Sequence, residues 1–488
     1  MTGLISTLYV LSVLLGAAFA LAEVRMLVRF VRNRDGARAA TRSSQAERSA
    51  PAPANAPTVT VQLPLFNERV AARQVILAAA GQDYPRDRFD IQVLDDSTDE
   101  TRDVVAAAVA DVKAMGVRIE HIRRENREGF KAGALAAGLQ RSAAEFVAVF
   151  DADFRPRPDF LRRVIVEHDA FRDPRVSFVQ TRWAFDNTGA SLFHTAMALL
   201  LDRHFYIQKP VRAFAGQVTV FNGSAGVWRR AAIEAAGGWS ADTLTEDLDL
   251  SFRCALAGWE GRYMHDVAVP NELPEEMRAF KLQQRRWARG NAQCFRKLIG
   301  RVIDPGNRLV DRWEEVFLLA GYAIHPVLLV YLVLWPWAVL YLNRPFFIVT
   351  QALMSATTFV APVSFALTLN ERGERLRGKH ASQLIAAMGI GMGLMVNNTV
   401  GQVQGFLLGA GEFARTPKGW TAGAYSAGRA QTAYSSPLHW SFAAEVLVIV
   451  YCLLSAVLLL QRGEWFWVFP LLFWGACVAL VVKLQVRR

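Results

Sequence analysis

The stretch Phe146-Val147-Ala148-Val149-Phe150-Asp151-Ala152-Asp153 decides the fold class. Five uninterrupted apolar residues suit a strand buried on both faces, as in the middle of a parallel sheet. The Asp-Ala-Asp that follows puts two carboxylates two residues apart on extended chain, within reach of a divalent cation and of a nucleotide it holds. Mg2+ and Mn2+ take hard oxygen ligands and bind through a few carboxylates plus substrate phosphates. Asp151 and Asp153 are therefore candidate metal ligands. A bare Asp-x-Asp also arises by chance, so its neighbours must support it.

Outward from this stretch, Thr58–Leu63, Ile91–Leu94, Val117–Ile122 and Val176–Gln180 are further candidate strands, alternating with helix-like segments from Thr58 to about Gly300. That alternation predicts an α/β domain with a mostly parallel sheet covered on both faces. Ligands of such sheets bind at the carboxyl ends of the strands. Asn67 and Glu68 stand at the end of the first strand, and Asp95 and Asp96 at the end of the second. Acidic side chains there can accept hydrogen bonds from a base or ribose; each cluster also reads as a helix N-cap or turn.

Thr245-Glu246-Asp247 follows the turn Gly237-Gly238-Trp239. One carboxylate here could take the proton of an attacking hydroxyl; an N-capping Thr with acidic first-turn residues is the plainer reading. In Gln283-Gln284-Arg285-Arg286-Trp287 an Arg could meet a leaving diphosphate and an indole could stack on a sugar. The same residues fit a basic amphipathic helix on a membrane surface, begun by Pro274.

The 488 residues are 52% hydrophobic and 20% charged, with a net charge of +11, a balance that joins soluble and membrane parts in one chain. Leu4–Ala22 is an uncharged apolar run followed by Arg25, Arg29, Arg32 and Arg34, so the positive-inside rule puts the next segment in the cytosol. No charged n-region precedes that run, which argues against a signal peptide. Residues 33–56 read as a linker. Val316–Leu342, Phe346–Leu369, Trp440–Leu460 and Trp465–Leu484 are long enough to span; Gln383–Gly411 is apolar but carries Asn397, Asn398, Gln402 and Gln404, so crossing, re-entrant and interfacial courses all stay open. The expected domains are an anchor (1–32), the linker, a catalytic domain (57–300) and a membrane region (301–488). Cys254, Cys294, Cys452 and Cys477 have no ligand spacing and read as reduced packing residues.

Taken in order, Asp-Asp, Asp-x-Asp, Thr-Glu-Asp and Gln-x-x-Arg-Trp resemble the family 2 glycosyltransferases, specifically the processive cellulose-synthase-like branch. The stretches QVLDDSTDET, NREGFKAGAL, FDADFRPRPDFLRR, FNGSAGVWR, EDLDL and NELPEEMRAFKLQQRRW look like the mannan-synthase and glucan-synthase-like enzymes. The resemblance implies a GT-A-like, Rossmann-like domain joined to a multi-span helical membrane region, and an inverting transfer from GDP-mannose or UDP-glucose to a β-linked polysaccharide. Asp247 would be the base, with Glu246 beside it. Asn67, Glu68, Asp95, Asp96, Lys131, Gly133, Asp151, Gln283 and Arg286 would bind the donor, with Mg2+ or Mn2+ on Asp151 and Asp153. Trp287 and the loop Phe221-Asn222-Gly223-Ser224 would border the acceptor.

Phe413-Ala414-Arg415-Thr416-Pro417-Lys418 resembles the gating loop of bacterial cellulose synthase, which would bring Thr416 and Lys418 to the diphosphate; a basic loop on lipid headgroups is the competing reading. The implied setting is a bacterial inner membrane with a cytosolic catalytic domain, partnered by lipid, donor, glycan and additional secretion subunits, and by no nucleic acid. A transferase that makes a glycolipid on ceramide or diacylglycerol carries the same Gln-x-x-Arg-Trp and stays open. A transporter with a degenerate sugar-binding domain is disfavoured by the full set of acidic groups and by the absence of a GxxxxGK[ST] loop.

Overall fold

The computed structural model describes residues 2–41, 52–409, 411 and 438–486. Its sheet has seven strands in the order β3-β2-β1-β4-β6-β5-β7: β1 (Val59–Leu65), β2 (Phe89–Asp95), β3 (Ile119–Ile122), β4 (Phe146–Val149), β5 (Val176–Phe185), β6 (Gly226–Arg229) and β7 (Glu260–Asn271). β6 runs antiparallel between β4 and β5, and the other pairings are parallel. All five expected strands are present, while β6 and β7 are additions to the expected set.

β4 is buried at every position, and β1 at all but Pro64, as central strands covered by helices on both sides must be. Val61, Ile91 and Ala148 belong to one apolar layer; Leu94, Val147 and Trp228 belong to the other. The register aligns Leu65 with Asp95 and Gln62 with Val149. The acidic loops after β1, β2 and β4 therefore leave the same edge of the sheet.

Among the described residues six segments are long and apolar enough to cross a membrane: Gly3–Arg32, Gly321–Tyr341, Arg344–Glu371, Gly378–Leu407, Ser441–Gln461 and Trp465–Val486. Ion pairs fix the levels of their ends. Arg25 and Arg29, at the end of the first, reach Asp311 at 3.1 and 2.8 Å, just ahead of the second. Arg34 and Arg38 hold Glu371, at the end of the third, at 2.5 and 2.9 Å. Arg344 pairs with Glu464, which joins the connection between the second and third segments to the tip of the C-terminal hairpin at the opposite level.

Gly378–Leu407 is arranged differently. It breaks into Gly378–Gly393 and Met395–Leu407, and the second half lies on the long helix Met277–Ile303. Gly401 and Gly405, one turn apart, bring it so close that a Cβ on Gly401 would stand 2.6 Å from the Arg285 carbonyl oxygen. Asn397 donates to the Lys281 carbonyl at 3.0 Å and Gln402 to that of Ala288 at 2.6 Å. Asn397 and Gln402 thus serve packing against the helix that carries Arg286 and Trp287, while Asn398 meets His325 of the second apolar segment at 3.0 Å. The first stretch after the anchor is also ordered, as a short helix Arg34–Ala39.

Candidate active site

β4 delivers Asp151 to the edge of the sheet, where its N–H donates to Ser224 Oγ at 2.9 Å. The helix Phe130–Gln140 brings Lys131 to meet it. The ammonium lies 2.6 Å from Asp151 Oδ1 and 3.4 Å from Glu246 Oε1, and donates to the Gly223 carbonyl at 2.9 Å. Burial alone would lower the Lys131 pKa, but the Asp151 and Glu246 carboxylates outweigh it and raise it above the ordinary value. Gly223 has φ +77°, and a Cβ there would stand 3.2 Å from Asp247 Oδ2. Only glycine lets this loop lie so close to the carboxylate in that conformation.

Asp247 occupies the first turn of the helix Glu246–Leu256, where Oδ1 accepts the Leu248 N–H at 2.8 Å. Burial pushes its carboxyl up and the Glu246 charge adds to this. Lys131, the Leu248 N–H and Arg286 pull it back, to about 7. A carboxyl so poised can take up a proton near neutral pH. Arg286 comes from Met277–Ile303; burial lowers its guanidinium pKa, opposed by Glu246, Asp151, Asp247 and Asp153.

At the other end of the site Asp96 is chelated by Arg124, through Nε at 2.9 Å and Nη2 at 2.5 Å. The Arg127 guanidinium stacks 3.3 Å over the Phe66 ring. Asp95 stays behind the pocket wall, its oxygens taken by the Ser97 N–H and His121 Nε2, each at 2.9 Å. Burial would raise the Asp95 pKa, but these hydrogen bonds hold it below the ordinary value. Asn67, at φ +55°, ties β1 to β2 by accepting the Thr98 N–H at 2.8 Å and donating its own N–H to Ser97 Oγ at 2.9 Å. Gly133 leaves room for the Glu128 carbonyl and the Arg124 guanidinium. Asn67, Asp95 and Gly133 thus shape the pocket from behind, whereas Glu68 and Asp96 line it.

A single cavity of about 1100 Å³ takes in Asp96, Lys131, Asp151, Asp153, Glu246, Asp247, Phe221, Asn222, Gly223, Gln283, Arg286 and Trp287. Ser224 is buried beneath it as the acceptor of the Asp151 N–H. The cavity continues past Tyr322 and His325 to Tyr331, Trp335 and Gln351 of the apolar helices. The sequence offered no spacing signal for Arg124, or for His204, which bridges Gln208 Oε1 at 2.9 Å and the Asn222 amide at 3.3 Å. Burial pushes the His204 pKa down to about 3, so it meets Asn222 uncharged. Thr416 and Lys418 lie outside the described residues.

Among the described residues there is no group of three or more His, Cys, Asp or Glu side chains placed to hold a metal. Asp151 and Asp153 line the cavity as hard oxygen donors, the ligand type that Mg2+ takes beside substrate phosphates. The Lys131 ammonium already supplies one positive charge at Asp151.

Residues 146–370 match the profile described as Glycosyl transferase family group 2. That stretch of the chain is similar to the family group 2 glycosyl transferases. Among curated proteins it is 43% identical over 272 residues to glucomannan 4-beta-mannosyltransferase 2 of Arabidopsis thaliana, covering 55% of this chain and 50% of that one. It is 40% identical over 272 residues to glucomannan 4-beta-mannosyltransferase 1 of Oryza sativa subsp. japonica, covering 54% and 51%. The chain spans about half the length of the curated relatives it matches. A solved Pyrobaculum calidifontis mannosyltransferase, in complex with GDP-Man and Mn2+, superposes with a TM-score of 0.52 at 20% identity, over 81% of this chain and 99% of that one. At that identity the likeness is one of fold, and it supports the expected GT-A-like architecture of the α/β domain.

Proposed function

We propose that this chain is a membrane-embedded inverting glycosyltransferase that moves hexosyl units from a nucleotide sugar onto a growing β-linked polysaccharide. The observation that carries the reading is the continuity of one cavity. It runs from Asp247, Lys131 and Arg286 to the aromatic and polar side chains of the apolar helices. A product formed at Asp247 would leave along that path.

In the reaction Asp247 takes the proton of the acceptor hydroxyl as its oxygen forms a bond to the anomeric carbon. The bond from that carbon to the diphosphate breaks on the opposite face, and the leaving oxygen carries the electron pair away. Lys131 and Arg286 stand where that negative charge develops. A Mg2+ or Mn2+ on Asp151 and Asp153 would add charge neutralisation at the same phosphates. Trp287, Phe221, Asn222 and Gly223 border the acceptor side, and Asp96 with Glu68 the nucleoside side.

The mannosyltransferase names of the relatives favour GDP-mannose as donor, with UDP-glucose second. The levels set by Arg25–Asp311, Arg34–Glu371 and Arg344–Glu464 support five crossings, with Gly378–Leu407 lying along the transferase domain. Arg25 to Arg34 then support a cytosolic setting for that domain.

Membranes containing the chain, incubated with radiolabelled GDP-mannose, GDP-glucose or UDP-glucose and Mn2+ or Mg2+, test the reading. A high-mass product cut by an endo-β-mannanase is expected from GDP-mannose. A short product that partitions into organic solvent would instead make the acceptor a lipid.

A further inference from the structure

The helix Met277–Ile303 has two working faces. One presents Gln283, Arg286 and Trp287 to the cavity. The other carries Arg278 and Lys281, three residues apart and so on the same side. The Lys281 side chain is 5% exposed and that of Glu445 is 0% exposed, and Nζ lies 2.6 Å from Glu445 Oε1. Lys281 also donates to Glu445 Oε2 at 2.8 Å and to Gln485 Oε1 at 2.7 Å. Gln485 closes the triangle by donating to Glu445 Oε2 at 2.8 Å, while Arg278 Nε donates to the Gln485 carbonyl at 2.7 Å.

Glu445 lies one turn inside Ser441–Gln461, and Gln485 lies in the last turn of Val468–Val486. Both C-terminal apolar helices are therefore fastened to one ammonium. Apolar residues of similar volume would hold three helices together at least as well, because a buried ion pair must first be stripped of water. What the charged triangle adds is direction: it admits one axial register of the helix. Lys281 precedes Arg286 by five residues and Trp287 by six, so a slip of the helix at Lys281 displaces both.

We propose that Lys281, Glu445 and Gln485 are positioning residues for glycosyl transfer, locking the register of Met277–Ile303 so that Arg286 meets the leaving diphosphate and Trp287 the sugar. None of the three lines the cavity, so their action passes through the helix alone. The inference rests on the transferase reading above.

The test uses the full chain in membranes or nanodiscs, with K281M, E445Q, K281R and the uncharged triple variant K281M/E445L/Q485L. K281M and E445Q are expected to lower kcat about 10-fold or more while donor KM stays within about 3-fold, because misplaced groups cost the transition state more than the ground state. K281R should recover most of the rate. The decisive variant is K281M/E445L/Q485L, which leaves no member of the triangle stranded: it should melt near the parent temperature and remain slow. Parental kcat in that variant would overturn the proposal, as would parental kcat in E445Q. An inactive parent would instead refute the transferase reading, so the two failures are told apart by the parent alone.

Discussion

Lys131 holds its ammonium 2.6 Å from Asp151 Oδ1 and, from the same position, 3.4 Å from Glu246 Oε1. One cation thus joins the Asp-x-Asp motif to the Thr-Glu-Asp motif, and it also pulls down the Asp247 pKa. Removing it should leave the carboxylates repelling one another and raise the Asp247 pKa further. K131A is expected to lower kcat/KM about 100-fold and to move the acid limb of the pH–rate profile to higher pH. K131R should keep the limb in place. Initial rates from pH 5.5 to 9 check both; an unmoved limb in K131A would mean that Lys131 does not tune Asp247.

In the parent that limb should centre near the Asp247 pKa of about 7, with transfer rising as the carboxyl loses its proton. D247N should reduce kcat by ~10³ or more, within the usual range for a lost general base. Stability should respond in the opposite direction. The folded chain holds the Asp247 proton more tightly than the unfolded chain, so this group favours folding most below the ordinary carboxylate range. That advantage is lost as pH rises through 7. D247N escapes the loss and should melt above the parent at pH 8, with the gap closing toward pH 5. Equal melting temperatures at pH 8 would argue against a buried, proton-holding Asp247.

The extent to which this site is legible in the sequence follows from how far apart its partners lie. Phe146–Asp153 announces itself because a fully buried strand must be apolar and its end must carry the chemistry. Glu246 and Asp247 are legible as the acidic first turn of a helix behind Thr245, a local pattern that does not by itself say which of them is the base. Arg124 is 28 residues from Asp96, and Lys281 is 164 from Glu445; no spacing rule joins such pairs. β6 is four residues, Gly-Val-Trp-Arg, too short for a period to emerge, and β7 mixes Arg, Tyr, His and Asp along a strand only partly buried. Gly378–Leu407 shows the limit of composition. An apolar helix on a membrane path and one lying on another helix read alike until Asn397 and Gln402 are seen to bond carbonyls of Met277–Ile303.

Asp151 and Asp153 give a prediction about cations. With two protein carboxylates and the remaining ligands drawn from the nucleotide, the ion should bind weakly to the free chain and tightly with donor present. EDTA should abolish transfer, and Mn2+ or Mg2+ should restore it. D153N should raise the Mn2+ concentration needed for half-maximal rate about tenfold, by analogy with other lost ligands. Calorimetric titration of Mn2+ with and without GDP measures the coupling. Equal affinity in the two titrations would refute a shared site.

Gly290 sets the distance between the two catalytic elements. It follows Arg286 by four residues and so lies on the same stripe of Met277–Ile303, facing Thr245, which immediately precedes Glu246 and Asp247. A Cβ on Gly290 would stand 2.5 Å from Thr245 Cγ2, 2.7 Å from Oγ1 and 3.0 Å from Cβ, closer than packed atoms allow. G290A must therefore push the Arg286 helix away from the Asp247 helix. The expected cost is ~1–3 kcal/mol of stability, typical of overpacking. The rate should fall further, by about 100-fold, because a shift of an ångström separates the base from the leaving-group cation. Adding T245A removes two of the three colliding atoms and should return part of both quantities. Thermal melting and initial rates on G290A and G290A/T245A measure the effect. A G290A protein with parental rate would show that the helices need not be this close for transfer.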